Sequence, residues 1–215
     1  MKIELKNVTK IIKRNKVLDD INYTFEGGHI YGLNGKNGCG KTMLMRCITG
    51  LIYPTDGEVV INGKRLGRDI QFPPSVGILI ENPTFLPNYT GLDNLIMLAE
   101  LKGNCSVEDI KNIIREVGLN PDDKRKYYKY SLGMRQRLGV AAALMNKSDI
   151  IILDEPINAI DGEGVTMIRN LIKSYVDENR IIIVACHDMQ EMDLLADIKI
   201  YMADGKIVGD ENVSS

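Results

Sequence analysis

The sequence predicts an α/β fold with an antiparallel β portion and a helical subdomain inserted over residues 82–146. Three observations predict it. Gly35-Lys36-Asn37-Gly38-Cys39-Gly40-Lys41-Thr42 is a glycine-rich loop between an apolar run, His29 to Leu33, and a stretch of helical spacing from Lys41 to Leu51. Two short runs, Ile150-Ile151-Ile152-Leu153 and Ile181-Ile182-Ile183-Val184, read as parallel strands buried on both faces, with a helix over about 163–178 between them. Between the loop and the first of those runs the periodicity turns helical, over Thr90 to Lys102, Ser106 to Val117 and Ser131 to Asn146.

The remaining elements follow from local pattern. Lys2 to Val8 alternates like a half-buried strand, with Ile3, Leu5 and Val8 on one side. A basic turn-rich stretch, Lys13 to Lys16, leads to a second amphipathic strand from Ile21 to Phe25, and Gly27-Gly28 ends it. Met43, Leu44, Cys47 and Ile48 keep helical spacing, with Gly50 as a stop. Glu58 to Ile61 followed by Asn62-Gly63 reads as strand then turn, and Val76 to Ile80 as a short strand. Ser106 and Asp109 form a capping pair. Ile198 to Val208, around Asp204-Gly205, predicts a terminal hairpin.

The 215 residues, 44% hydrophobic and 26% charged, suit one domain over 1–215 with a sizeable core. A net charge of −2 from 27 basic and 29 acidic residues is far from a nucleic-acid footprint, and no nucleic-acid partner is expected. Lys124, Arg125, Lys126 and Lys129, interleaved with Tyr127, Tyr128 and Tyr130, read as a solvated loop. Four cysteines without C-x-x-C spacing and two histidines predict reduced thiols and no metal cluster. The N-terminus lacks a signal-peptide pattern and no apolar run nears the about 18 residues of a membrane span. A cytoplasmic chain is expected, held at a membrane only through another chain.

The chemistry is carried by two stretches. G-x-x-x-x-G-K-[ST] is matched in full, and the nucleotide-binding residues are expected over Asn34, Gly35, Lys36, Asn37, Gly38, Cys39, Gly40, Lys41, Thr42 and Met43. Its glycines let backbone N–H groups turn inward around phosphate oxygens; the helix N-terminus adds a favourable field. Lys41 is expected on the β/γ-phosphates and Thr42 on Mg²⁺. Cys39 reads as a small residue within the loop. In the second stretch, four apolar residues deliver Asp154 and Glu155 to a strand's carboxyl end. Asp154 is the expected Mg²⁺ ligand and Glu155 the group that orients and activates water.

Tyr130-Ser131-Leu132-Gly133-Met134-Arg135-Gln136-Arg137 opens an Ala/Leu-rich stretch and resembles the L-S-G-G-Q signature of ATP-binding-cassette (ABC) ATPases. The resemblance runs from Met1 to about Gly209 with the motifs in the family's order. It implies a P-loop NTPase core of RecA-like type, ATP and Mg²⁺ as ligands, and a homodimer sandwiching two ATP molecules. In that sandwich Ser131, Leu132, Gly133 and Met134 would meet ATP bound by the opposite subunit. It further implies that Asp161, in Ala159-Ile160-Asp161, belongs to the D-loop, and that His187 contacts the γ-phosphate. A separate transmembrane permease would be the partner.

The sequence departs from the family pattern at four places. Glu81 stands where a glutamine touching Mg²⁺ and water is usual; either it faces the metal or water, or Asn82 takes that role. Ile12 falls where an aromatic residue stacks on adenine, so base selectivity should be loose. Leu132 and Met134 replace a glycine and a glutamine of the signature, while Ser131 and Gly133 are kept. The wording from Glu81 to Leu95 resembles the bacitracin-resistance and lantibiotic-immunity branch of ABC exporters. The resemblance therefore points to export of an antimicrobial peptide, drug or similar amphiphile. A soluble ABC ATPase acting on DNA or ribosomes, or a nucleotide-dependent regulator, is the alternative.

Overall fold

The computed structural model describes residues 1–101 and 105–213. The chain opens with β1 (Lys2–Ile12), β2 (Asn15–Glu26), β3 (His29–Asn34), α1 (Lys41–Ile48), β4 (Asp56–Ile61), β5 (Lys64–Arg65) and β6 (Val76–Leu79). The helical block supplies α2 (Gly91–Glu100), α3 (Val107–Glu116) and α4 (Leu132–Leu144). Then come β7 (Ile150–Asp154), α5 (Gly162–Ser174), β8 (Ile181–Ala185), α6 (Met189–Leu195), β9 (Ile198–Ala203) and β10 (Lys206–Asn212).

Two sheets result. An antiparallel one has the order β2-β1-β4-β5; the other runs β10-β9-β3-β8-β7-β6, with β9, β3, β8, β7 and β6 parallel to one another and β10 antiparallel to β9. The first hairpin is longer than the alternation predicts. Register shifts at Val8 and Lys10 break the period-two pattern while pairing continues to Ile12↔Asn15. Lys13 and Arg14, both at positive φ, make the two-residue turn.

The parallel register brings the site together. Leu33 pairs with Ala185, Asp154 with Ala185, and Leu79 with Leu153, so β3, β8, β7 and β6 all end at one edge. Alternate residues of each strand face opposite ways. Leu33, Ile150, Ile152, Ile181 and Ile183 join the core shared with β1, β2 and α1. Ile30, Ile151, Leu153, Ile182 and Val184 join the core shared with the helices. A strand buried on both faces has no need of polar alternation, which is why these runs are purely apolar.

The helical block is built from caps. Thr90 and Asp93 close a capping box on α2, Ser106 and Asp109 one on α3, and the Ser131 side chain accepts from Met134 N–H at 3.2 Å to start α4. The expected extension of α2 to Lys102 lies outside the described residues. Helix α4 lies against the sheet with no room to spare. A Cβ on Gly77 of β6 would collide with the Ala143 carbonyl, and one on Gly139 would come within 2.9 Å of Leu79 Cδ1. Tyr127 and Tyr130 of the basic loop are buried, with Tyr127 Oη donating to the Pro83 carbonyl at 2.6 Å, while Tyr128 is exposed.

Candidate functional site

The glycine-rich loop leaves β3 and enters α1 at the edge where the parallel strands end. Gly35 cannot carry a side chain: its φ is +152°, and a Cβ would strike the Met202 carbonyl and lie 2.6 Å from Cys39 Sγ. Cys39 is buried beneath the loop as packing, and Gly40, at φ +114°, opens α1. Lys41 is 7% exposed, and its ammonium donates to the Gly35 carbonyl at 2.6 Å and the Lys36 carbonyl at 3.4 Å. Those bonds curl the loop around the amine.

One turn of chain and 112 residues meet next. Thr42 Oγ1 donates to Asp154 Oδ2 at 2.7 Å, joining the start of α1 to the end of β7. Asp154 is 8% exposed, and a buried carboxylate is costly without a positive partner. The two donors, a hydroxyl and a carboxylate, are hard oxygens, the set that fits Mg²⁺.

Glu155 follows at φ +52°, a left-handed backbone unusual for a non-glycine residue. Its Oε2 accepts from the His187 backbone N–H at 3.3 Å. His187 Nε2 lies 3.2 Å from Oε1, within ion-pair reach but off the line of a hydrogen bond. Burial holds the Glu155 carboxyl above the usual carboxylate range; His187 pulls it down, and Asp154 adds to the rise. A carboxylate with raised proton affinity is better suited to accept a proton from water. Val17, Asn37, Gly38, Gly40, Lys41, Thr42, Met43, Asp154, Glu155 and His187 line one cavity of about 370 Å³.

The signature stretch lines a different cavity, about 530 Å³, with no lining residue in common. Ser131, Leu132, Gly133 and Met134 border it, opposite Ala159, Ile160 and Asp161. Gly133 is close to the segment between β7 and α5: a Cβ there would sit 2.8 Å from the Ala159 carbonyl. Asp161 caps α5, accepting from Gly164 N–H at 2.8 Å, and pairs with Arg137 at 3.2 Å.

Two expected site residues stand apart. Ile12 is 38% exposed at the hairpin end and does not line the phosphate cavity; Val17, on the paired strand, does. Glu81 is turned to Arg46 of α1, with Oε1 and Nη2 2.6 Å apart, and Asn82 lines a separate groove that Arg46 also borders. Neither reaches the Thr42–Asp154 pair. Sequence reasoning missed Gln136, whose Nε2 donates to the Glu155 backbone carbonyl at 2.7 Å. Its sequence signal was its place at the end of the signature-like stretch, to which no role had been attached.

A family model described as "ABC transporter" matches residues 18–158. The chain is similar to the uncharacterized ABC transporter ATP-binding protein YybJ of Bacillus subtilis, at 46% identity over 98% of this chain and 97% of that protein. It is 39% identical to the bacitracin transport ATP-binding protein BcrA of Enterococcus faecalis, over 99% of this chain and 70% of that one. It is 33% identical to the lantibiotic transport ATP-binding protein SrtF of Streptococcus pyogenes, over 96% and 89%. Among solved structures, a dimeric bacterial ABC transporter cassette, MJ0796, superposes with a TM-score of 0.88 at 25% identity, covering 99% of each chain. A dimeric post-hydrolysis state of the same cassette, bound to ADP and Pi, superposes equally well at 24% identity. Among the described residues, no helix is long and apolar enough to cross a membrane.

Proposed function

The chain belongs to the ABC transporter family as an ATP-hydrolysing cassette, and we propose that two copies close around ATP to drive a separate membrane permease. The cargo class follows the relatives named for bacitracin and lantibiotic transport: an antimicrobial peptide or similar amphiphile, moved outward. The chain would sit on the cytoplasmic face of the membrane, held there by the permease.

The observation that carries this reading is the separation of the two cavities. One chain offers a loop, a buried lysine and a catalytic carboxylate in one cavity, and a serine-capped helix start in another, with no shared lining residue. Each half is incomplete alone; two copies related by a two-fold axis, the loop of each facing the helix start of the other, complete both.

In that scheme Lys41 and the loop N–H groups hold the phosphates, and α1 presents its N-terminus to them. Thr42 and Asp154 would hold Mg²⁺, which supplies charge neutralisation on the phosphate oxygens. Glu155 accepts the proton of the attacking water, with His187 beside it to support the γ-phosphate. Ser131 and Gly133 of the second copy close the phosphate end from the other side. Leu132 and Met134 border the same opening.

Steady-state phosphate release tests the hydrolytic part. Lys41→Ala should reduce it to background, and turnover that survives the substitution would contradict the assignment. Purification from native cells tests the partner: a membrane protein is expected to come with the chain. Nucleic acid in its place, displaced by salt, would overturn the transport reading.

A further inference from the structure

We propose that Gln136 is the positioning residue that fixes the Glu155 carboxylate for hydrolysis, tying it to the helix that begins at Ser131. The inference rests on Glu155 as the residue that activates water.

Glu155 is the place where the backbone turns sharply out of β7. Its left-handed φ persists only while surrounding contacts hold it. Its N–H donates to the Ala185 carbonyl at 2.9 Å, which fixes it to β8. Its carbonyl accepts from Asn158 N–H at 3.2 Å, a bond within the local turn, and from Gln136 Nε2 at 2.7 Å, 19 residues away in sequence. The Gln136 bond is the one that reaches a separate helix. The amide orientation is settled by chemistry, because a carbonyl can only accept and the group facing it must be the NH₂.

The platform under Gln136 is rigid. Gln136 is buried, and Leu138, Val140 and Ala141 on the following turn are fully buried. Gly139 and Gly77 let α4 lie directly on β6, leaving no space for a shift. Two residues upstream of Gln136, Met134 N–H is held by the Ser131 cap. The helix start that borders the second cavity and the amide that holds Glu155 are thus parts of one short rigid rod. Losing the amide frees the Glu155 backbone to relax, and the carboxylate moves with it. Displacement on the scale of an ångström at a reacting group lowers turnover by roughly a hundredfold.

The test compares ATP turnover and nucleotide binding in Gln136→Leu and Gln136→Met, the second keeping the unbranched length of the side chain while removing the donor. Both should lower kcat by about ten- to a hundredfold, with KM and the Kd of a fluorescent ATP analogue within about twofold, because Gln136 lines neither cavity. Should the leucine variant lose its cooperative melt, the unbranched Gln136→Met decides alone. On a Glu155→Gln background the Gln136 substitutions should leave the residual turnover unchanged, since the group they position is gone. Wild-type kcat in Gln136→Met, or a loss carried wholly by KM, overturns the inference. Wild-type turnover in Glu155→Gln would instead overturn the assignment of Glu155 on which it depends.

Discussion

Removing the Arg46 guanidinium should weaken ATP binding through Glu81, by an amount the structure bounds. β6 ends at Leu79, paired with Leu153, so Glu81 leaves the sheet at the same edge as Asp154 and Glu155. It would add a third carboxylate to a phosphate site were it not paired with Arg46 at 2.6 Å. Two like charges ~4 Å apart repel by about 4 kcal/mol at an effective dielectric of ~20, but by only about 1 kcal/mol in water. The Glu81 side chain is 60% exposed, which places the pair near the aqueous limit. Arg46→Met should therefore raise the Kd for ATP by about fivefold, the equivalent of ~1 kcal/mol. Loss of the partly exposed pair costs about 0.2–1 kcal/mol of fold stability, so the melt should barely move. Titration of a fluorescent ATP analogue at low salt measures the effect, and high salt should shrink it as exposed charges are screened. Adding Glu81→Gln to Arg46→Met should restore affinity, and Glu81→Gln alone should keep hydrolysis within about tenfold of wild type. An unchanged Kd in Arg46→Met at low salt would refute the reasoning. A collapse of hydrolysis in Glu81→Gln would show that the carboxylate has its own role.

Three further outcomes are expected. Glu155→Gln should melt higher than wild type at neutral pH in the absence of nucleotide. The folded carboxyl holds its proton to higher pH than the unfolded one, so stability falls as pH rises through that window, and the amide removes the loss; parallel melts from acid to neutral pH would check it. Gly77→Ala should destabilise the fold by about 1–3 kcal/mol, lowering the melting temperature by roughly 2–12 °C, since the added methyl meets the Ala143 carbonyl. Competition binding should find GTP and ATP within about tenfold of each other, since the hairpin residue that lines the cavity is the aliphatic Val17 and, among the described residues, no phenylalanine or tyrosine lines it to stack on a base.

Much of the fold is legible because its signals are local. The Ser106–Asp109 box, the Asp204-Gly205 turn and the apolar runs of β7 and β8 each state their structure within a few residues. Helix α6 was not legible. Seven residues opened by an Asp188 cap are too short for periodicity to emerge. The extension of β1 and β2 was hidden by bulges, which break the alternation that reveals a strand. In the site, the Thr42–Asp154 contact follows from knowing which strand ends share an edge. The Arg46–Glu81 pair and the Gln136–Glu155 bond do not, because they join residues 35 and 19 apart through side chains that no local pattern marks. Ile12 lies at the exposed hairpin end while Val17 faces the cavity, since pairing across the turn decides which residue of the ribbon points inward.

The central claim is that one chain supplies half of each ATP site. Sedimentation of Glu155→Gln with ATP and Mg²⁺, alone and combined with Ser131→Arg, tests it most directly. A dimer should form only with ATP, and Ser131→Arg should abolish it without lowering the ATP affinity of the single chain. A chain that binds ATP yet stays monomeric, or one whose ATP affinity falls when Ser131 is changed, would contradict it.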